Sequence, residues 1–320
     1  MLFKKLSDSG MSLTLKQLRY FEAALRNGSI ATAAAEMNIS KSSITAAIDL
    51  IEKSVNADLF RRVPAKGIIP TEIGLAVGER VAAFLEQEKL FRADLKSITG
   101  DPTGTLRLGC YAPTASFILP PILSRIARVY PGIRIDIVEG DMDKLTKLVL
   151  SGAVDLAMMY EYDPAGRLLF EELFEAPPWA LLPLSYPLAS HCEVTLSELA
   201  PLPMILLDLT TTQNYFTSLF TDRGLHPNVV HSTKSSSVIR GLVANEMGYS
   251  ILNICGPHDR DRTNGYGAVA IKDACLAPAF GIAFAPSLEG SVIVSAVREI
   301  GRELAGKGAF DHLLMTHRSP

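Results

Sequence analysis

The sequence predicts an α-helical head, one long helix, and a two-lobed α/β body. Three observations carry this reading. Apolar residues recur at helical spacing through residues 15–51. A helical stripe then runs through residues 71–98. From residue 105 onward, short apolar runs alternate with helical patterns, as in α/β layers.

In the head, Leu15, Leu18, Phe21 and Leu25 form a first stripe, ended by Asn27-Gly28. Ile30, Ala33, Ala34 and Met37 form a second, and Ile44, Ala47, Ile48 and Ile51 a third. Ser29 and Ser40 stand at the N-cap positions of the last two. Asn38-Ile39 leaves almost no connection, so these helices must cross sharply, and the surrounding alanines allow close approach. This is a helix-turn-helix. Its outward face shows Lys41, Ser42, Ser43, Thr45, Ala46 and Asp49, with hydroxyls and a cation suited to phosphates and base edges. Residues 59–71 follow as a hairpin-like wing carrying Arg61, Arg62 and Lys66, a phosphate clamp beside that helix.

With these residues in view, residues 13–98 resemble the N-terminal domain of LysR-type transcriptional regulators. The matching pattern is LKQLRYFEAALRNGSIATAAAEMNIS, an I-x-x-I-E ending at Glu52, then LFRR and GIIPTEIG. Two departures fall on the outward face. Lys41-Ser42 stands where the family often has Gln-Pro, and Ala46 where it often has Arg. The operator sequence therefore does not carry over from relatives. The resemblance implies a winged helix-turn-helix that binds double-stranded DNA. Ser29, Thr32 and Ser40 join Lys41, Ser42, Ser43, Thr45, Arg61, Arg62 and Lys66 as candidate DNA contacts.

Thr71 can cap the long helix, with Glu72 in its first turn. Its seam is Ile73, Val77, Val81, Phe84, Phe91, Leu95 and Ile98, at coiled-coil spacing and interrupted by Glu88. At ~1.5 Å per residue it spans roughly 42 Å, longer than one small domain needs internally. The seam together with the resemblance implies that residues 71–98 are a dimerisation helix, and a homodimer brings two heads to half-sites one DNA turn apart. Gly74 and Gly78 weaken the helix start and offer the head a pivot. Residues 99–104 are a hinge by composition. The resemblance further implies a homotetramer, with RNA polymerase as a candidate partner.

The body begins with strands at 106–110, 133–138 and 156–160, joined by helices at 117–130 and 144–150. A second series follows. Its strands are 179–182, 204–207, 229–232, 249–253, 268–271 and 280–285, and its helices 196–199, 216–223, 236–246 and 292–304. Two lobes with crossings near 171–178 and 276–281 resemble the periplasmic-binding-protein fold of LysR-type effector domains. The expected domains are a head of 12–70, the helix of 71–98, the hinge, and a body of 105–310. Lobe I takes about 105–174 and 281–310, and lobe II about 175–280.

Ligands of open α/β sheets sit beyond the carboxyl ends of strands, against the next helix starts. Lobe I offers Pro113, Thr114, Ala115, Ser116, Gly140 and Tyr160 there, beside Tyr111 and Tyr162. Lobe II offers Asp208, Thr210, Thr211 and Ser235. These hydroxyl-rich loops fit a small polar or anionic effector. An effector that binds two arrangements of the lobes unequally shifts their populations, and with them the spacing of the heads.

Composition narrows the alternatives. Residues 1–70 hold 10 Lys+Arg and 6 Asp+Glu, a balance of +4; the remaining 21 and 28 give −7 and the net −3. No apolar run reaches the roughly 18 residues that span a bilayer. Residues 1–10 lack the apolar core of a signal peptide, so the cytoplasm is the expected location and Met11 an expected start. Cys110, Cys192, Cys255 and Cys275 show no C-x-x-C pairing and read as small buried residues; the histidines lack ligand spacing, so no metal or cofactor is expected. The charged run of 258–263 reads as a solvated loop. Enzyme motifs are missing. A small-molecule transport protein without DNA function is the competing reading, against which the basic wing argues.

Overall fold

The computed structural model describes residues 13–63, 67–97, 101–274 and 277–315. These fall into two compact units. One ends at Arg92, and the other begins at Ala93, apart from residues 151–153.

The head is built from α1 (Leu15–Asn27), α2 (Ile30–Glu36) and α3 (Lys41–Val55). Each start is capped. Thr14 and Gln17 form a capping box on α1, Ser29 accepts from the Thr32 amide on α2, and Ser40 from the Ser43 amide on α3. Gly28 ends α1 at φ 60°, and Asn38 turns the chain between α2 and α3 at φ 53°. Phe21, Ala24, Ala33 and Ile44 are fully buried where the three helices meet. The wing is the antiparallel pair of β1 (Phe60–Val63) and β2 (Gly67–Pro70). Two interactions fasten it. The Glu52 carboxylate accepts from the amides of Leu59 at 2.7 Å and Phe60 at 3.2 Å, and the Ile68 amide donates to Gly28 O at 3.0 Å. The tip, including Lys66, lies outside the described residues, as do Met11 and Cys275.

The long helix α4 (Glu72–Ser97) starts on Thr71, whose hydroxyl accepts from the Gly74 amide at 2.9 Å. The glycines that the sequence offers as a pivot do something else. A Cβ on Gly74 would stand 2.0 Å from Leu59 O, and one on Gly78 2.2 Å from Leu25 Cδ2. They let α4 lie against the head, where Val81 and Leu85 join the buried core. Val81 therefore leaves the expected seam. Ile73, Phe84, Phe91 and Leu95 stay at least half exposed, and Ile98 lies outside the described residues. Glu88 is held by Arg19 at 2.8 Å and by Arg92, which tethers α1 to α4. Gly74→Ala should gain up to about 1 kcal/mol of helix propensity on an open helix surface. Here we expect a net loss of about 1–3 kcal/mol, because the blocking atom is backbone. Thermal unfolding of the head checks the sign.

Lobe I continues with β3 (Gly104–Tyr111), α5 (Ala115–Val129), β4 (Ile133–Gly140), α6 (Met142–Leu150), β5 (Leu156–Tyr160) and β6 (Leu169–Glu175). Lobe II holds β7 (Trp179–Pro183), β8 (Glu193–Val194), α7 (Leu196–Leu199), β9 (Pro203–Leu207), α8 (Thr210–Thr221), β10 (Asn228–Thr233), α9 (Ser236–Ala244), β11 (Ser250–Leu252), α10 (Pro257–Arg260) and β12 (Tyr266–Ile271). The chain then returns through β13 (Ala279–Phe284) and α11 (Val292–Gly306) to lobe I.

The lobe I sheet runs β4-β3-β5-β13-β6, with β3, β4 and β5 parallel and β13 antiparallel to both neighbours. In lobe II, β11-β7-β12-β8 meets the β10-β9 pair through a bridge between Met204 and Tyr249. The two crossings touch, the Ala176 amide donating to Pro278 O at 3.0 Å. The run at 258–263 is exposed as expected except at Asp259. It opens in α10, Asp259 is fully buried, and Arg262 donates to Ala189 O at 2.7 Å.

Candidate functional site

On α3 the split between faces is sharp. Ile44, Ala47, Ile48 and Ile51 are buried, whereas Lys41, Ser42, Ala46 and Asp49 are exposed and Ser43 and Thr45 partly so. Ser40 Oγ lies 2.8 Å from Ser42 Oγ and 2.9 Å from Ser43 Oγ, so three hydroxyls gather at the positive end of the helix dipole beside Lys41. Thr45 donates its hydroxyl to Lys41 O at 3.1 Å, which leaves it the acceptor lone pairs and the methyl for an outside partner. Thr32 and Arg61 are exposed, and Ser29 is partly covered while capping α2. Not every basic residue of the head is available. Arg26 is committed to Glu22 and Glu36, and Arg19 to Glu88. Arg62 sits on β1, and Lys66 is outside the described residues.

The second site is a cleft of about 710 Å³ between the lobes, its mouth included. Lobe I lines it with Tyr111, Pro113, Thr114, Met142, Tyr160 and Glu161. Lobe II contributes Thr211, Thr212, Tyr215 and Phe216 from α8, Ser236 and Arg240 from α9, and Leu207, Leu252, Asn253 and Ile254 from strand ends. The placement at carboxyl ends of strands follows from parallel topology, which brings helix starts to one edge of each sheet. The Tyr111 hydroxyl lies 2.6 Å from Thr212 Oγ1 and so ties the lobes together. Asn253 donates to Ala176 O at 2.8 Å and to Tyr215 Oη at 3.3 Å. Arg240 grips buried Asp259 through Nε at 2.5 Å and Nη2 at 2.7 Å. Burial pushes the Tyr215 hydroxyl up to about 12 and raises Tyr111 and Tyr160 as well, so the phenols stay protonated at neutral pH.

Of the residues expected from sequence, Pro113, Thr114, Tyr160 and Thr211 line the cleft. The others do not, for local reasons. A short 3-10 turn, Ala112–Thr114, precedes α5 and uses the Ala115 amide; Ala115 is buried and Ser116 exposed. Gly140 packs against Lys144 and Leu145. The Asp208 amide is engaged with Thr233 O, and Thr210 is exposed. Ser235 caps α9, and its neighbour Ser236 lines the cleft instead. Tyr162 donates to Asp143 on α6 at 2.9 Å and does not line the cleft. Arg240, Tyr215, Phe216 and Asn253 were not singled out by sequence. Asn253 ends a predicted strand, and Arg240 follows Ser236 by one turn, so the strand-end rule extended by a helical turn reaches both.

Cys110 and Cys255 are buried, and burial pushes each thiol up to about 12, as expected of structural cysteines. Cys192 is exposed, which corrects the buried reading for that position.

Comparisons with known proteins agree with this geometry. A family profile described as bacterial regulatory helix-turn-helix protein, lysR family, matches residues 15–75, and one described as LysR substrate binding domain matches residues 99–303. The regulator TtuA of Agrobacterium vitis is 27% identical over 244 residues, covering 75% of this chain and 80% of its own. The crystal structure of HinK, a LysR family regulator from Pseudomonas aeruginosa, aligns at 29% identity and a TM-score of 0.60 over 92% of this chain and all of its own. Full-length OxyR from Pseudomonas aeruginosa shares the fold at 19% identity, with a TM-score of 0.67 over 91% of this chain and 98% of its own. The chain belongs to the LysR family of transcriptional regulators, pairing a DNA-binding helix-turn-helix with an effector-binding domain.

Proposed function

We propose that α3 reads DNA through Ser42, Ser43, Thr45 and Ala46, while Ser29, Thr32, Ser40, Lys41, Arg61, Arg62 and Lys66 hold phosphates. The observation that carries this is the split of α3 into a buried apolar face and an exposed face of small polar residues. Small side chains let the helix backbone approach the floor of the major groove, where each base pair shows a distinct pattern of donors and acceptors. Lys41→Ala should weaken binding to all DNA sequences and reduce the salt slope of log K by about 0.9, the share of one phosphate contact. Anisotropy titrations over a range of salt check this. A parental slope would remove Lys41 from the DNA surface.

Two copies pair through residues 71–98, their exposed Ile73, Phe84, Phe91 and Leu95 meeting across the seam. Pairs then assemble into tetramers in the cytoplasm, where RNA polymerase is the partner of the DNA-bound form. The expected domain boundaries at 70, 98 and 104 are kept in this reading. The effector occupies the interlobe cleft. Because the Tyr111–Thr212 bond and the 3.5 Å contact of Thr211 with Asp143 both bridge the lobes, a ligand that replaces or reinforces them alters the lobe angle. It acts only through unequal affinity for the two arrangements. The family is one of regulators, and no catalytic role is assigned to the cleft. Among the described residues, no helix is long and apolar enough to cross a membrane.

A further inference from the structure

The charge inventory of the cleft narrows what can bind there. Among the described residues, two charged side chains line it, Arg240 and Glu161. Three of the five N–H donors of Arg240 are already committed. Nε and Nη2 face the two oxygens of Asp259, and Nη1 donates to Ser236 O at 3.2 Å. The guanidinium also lies 5.7 Å over the Phe117 ring. Asp259 is itself fixed, accepting from the Gly256 amide at 2.8 Å with only 1% of its side chain exposed. A carboxylate brought to Arg240 would therefore meet a neutral pair rather than a cation. Glu161, exposed at the rim, would repel it.

The remaining lining is aromatic and aliphatic, with neutral hydroxyls. Tyr111, Tyr160, Tyr215 and Phe216 present ring surface, and Met142, Leu207, Leu252 and Ile254 fill in between. Aromatic walls of this kind favour a flat ring packed edge to face or offset. One acceptor is left over. Asn253 spends its NH2 group on Ala176 O and Tyr215 Oη, and among the described residues its amide oxygen takes no hydrogen bond.

We propose that the cleft takes an uncharged, ring-bearing molecule with a hydroxyl or N–H donor, its ring among Tyr111, Tyr160, Tyr215 and Phe216 and its donor on Asn253 Oδ1. Of the polar and anionic classes that the sequence suggests, this selects the uncharged one. It rests on the reading of the cleft as the effector site.

The test uses the full-length chain and three probes of nearly equal size: benzyl alcohol, benzoate and benzylammonium. Each is titrated by ligand-observed NMR against the parent and Ser236→Trp, whose indole fills the cleft from a partly exposed position. Benzyl alcohol should bind the parent at least about tenfold more tightly than either ion, since benzoate must shed water without gaining a counter-charge and Glu161, exposed at the rim, gives benzylammonium only a solvent-screened one. It should lose that binding in Ser236→Trp. A preference for benzoate that Ser236→Trp abolishes would overturn the ligand class and leave the site in place. Binding of every probe unchanged in Ser236→Trp would overturn both the class and the cleft reading. No benzyl alcohol binding at about 1 mM or above would overturn the ring proposal. In Asp259→Asn, which frees the Arg240 charge while keeping an oxygen for the Gly256 amide, benzoate should gain about tenfold relative to benzyl alcohol. An unchanged ratio in a folded Asp259→Asn would show that Asp259 does not neutralise the cleft.

Discussion

A chain carrying Phe84→Glu and Phe91→Glu is expected to sediment as a monomer and to lose about two to four orders of magnitude in DNA affinity. The two rings are 50% and 61% exposed on one chain, and they lie seven residues apart on one face of α4 with Leu95 beside them. That stripe is too large and too regular to be left in water when the adjoining side of α4 already supplies the head with Val81 and Leu85. A head balance of +4 is modest, so tight binding needs two heads on linked half-sites. Placing carboxylates across the seam sets like charges against each other and removes that linkage, while the head core is untouched. Analytical ultracentrifugation alongside anisotropy separates the outcomes. A variant that stays dimeric would move the interface off α4. A monomer with parental affinity would deny that pairing matters for binding.

The largest stability effect is expected at Arg240. Arg240→Met leaves the Asp259 carboxylate buried with the Gly256 amide as its remaining described partner, and should cost the body about 3–5 kcal/mol. Adding Asp259→Leu removes the stranded charge, and the double variant should recover most of that loss. Chemical denaturation of the single and double variants reads this coupling directly. If the two single losses simply add, the pair is not acting as a unit.

How much of this was legible in the sequence depended on how local its cause is. Ser29, Ser40 and Gly28 act within a few residues of themselves, and each performs the capping or turning role that its spacing implies. The strand at 156–160 and the short helix at 196–199 also match at both ends, because apolar runs bounded by turn residues mark them. By contrast, β6 reads LFEELFE, with no clean alternation. It is half-covered at the sheet edge, and its Glu171 is held by Arg298 and Arg302 from α11, more than a hundred residues away. The glycines of α4 show the same limit. Propensity marks Gly74 as a weak point, whereas the close approach of Leu59 that makes it necessary is tertiary. In the cleft, strand ends pointed to the edge of each sheet that lines it but not to Arg240, Tyr215, Phe216 or Asn253. Arg240 and Asp259 are ordinary charges until α9 and α10 bring them together, and only then does the apparent cation vanish from the site.

The most direct measurement of the central claim is selection from randomised double-stranded DNA by the full-length chain, followed by sequencing, for the parent and for Thr45→Val. Thr45→Val removes the hydroxyl from the middle of the exposed α3 face and keeps the side chain's shape. The parent should enrich an inverted repeat whose half-sites lie about 10 base pairs apart, centre to centre. Thr45→Val should shift the preferred bases inside each half-site and leave that spacing unchanged, because spacing belongs to the dimer and base choice to α3. A parental motif in Thr45→Val, or no enriched motif from the parent, would contradict the assignment of this surface to DNA reading.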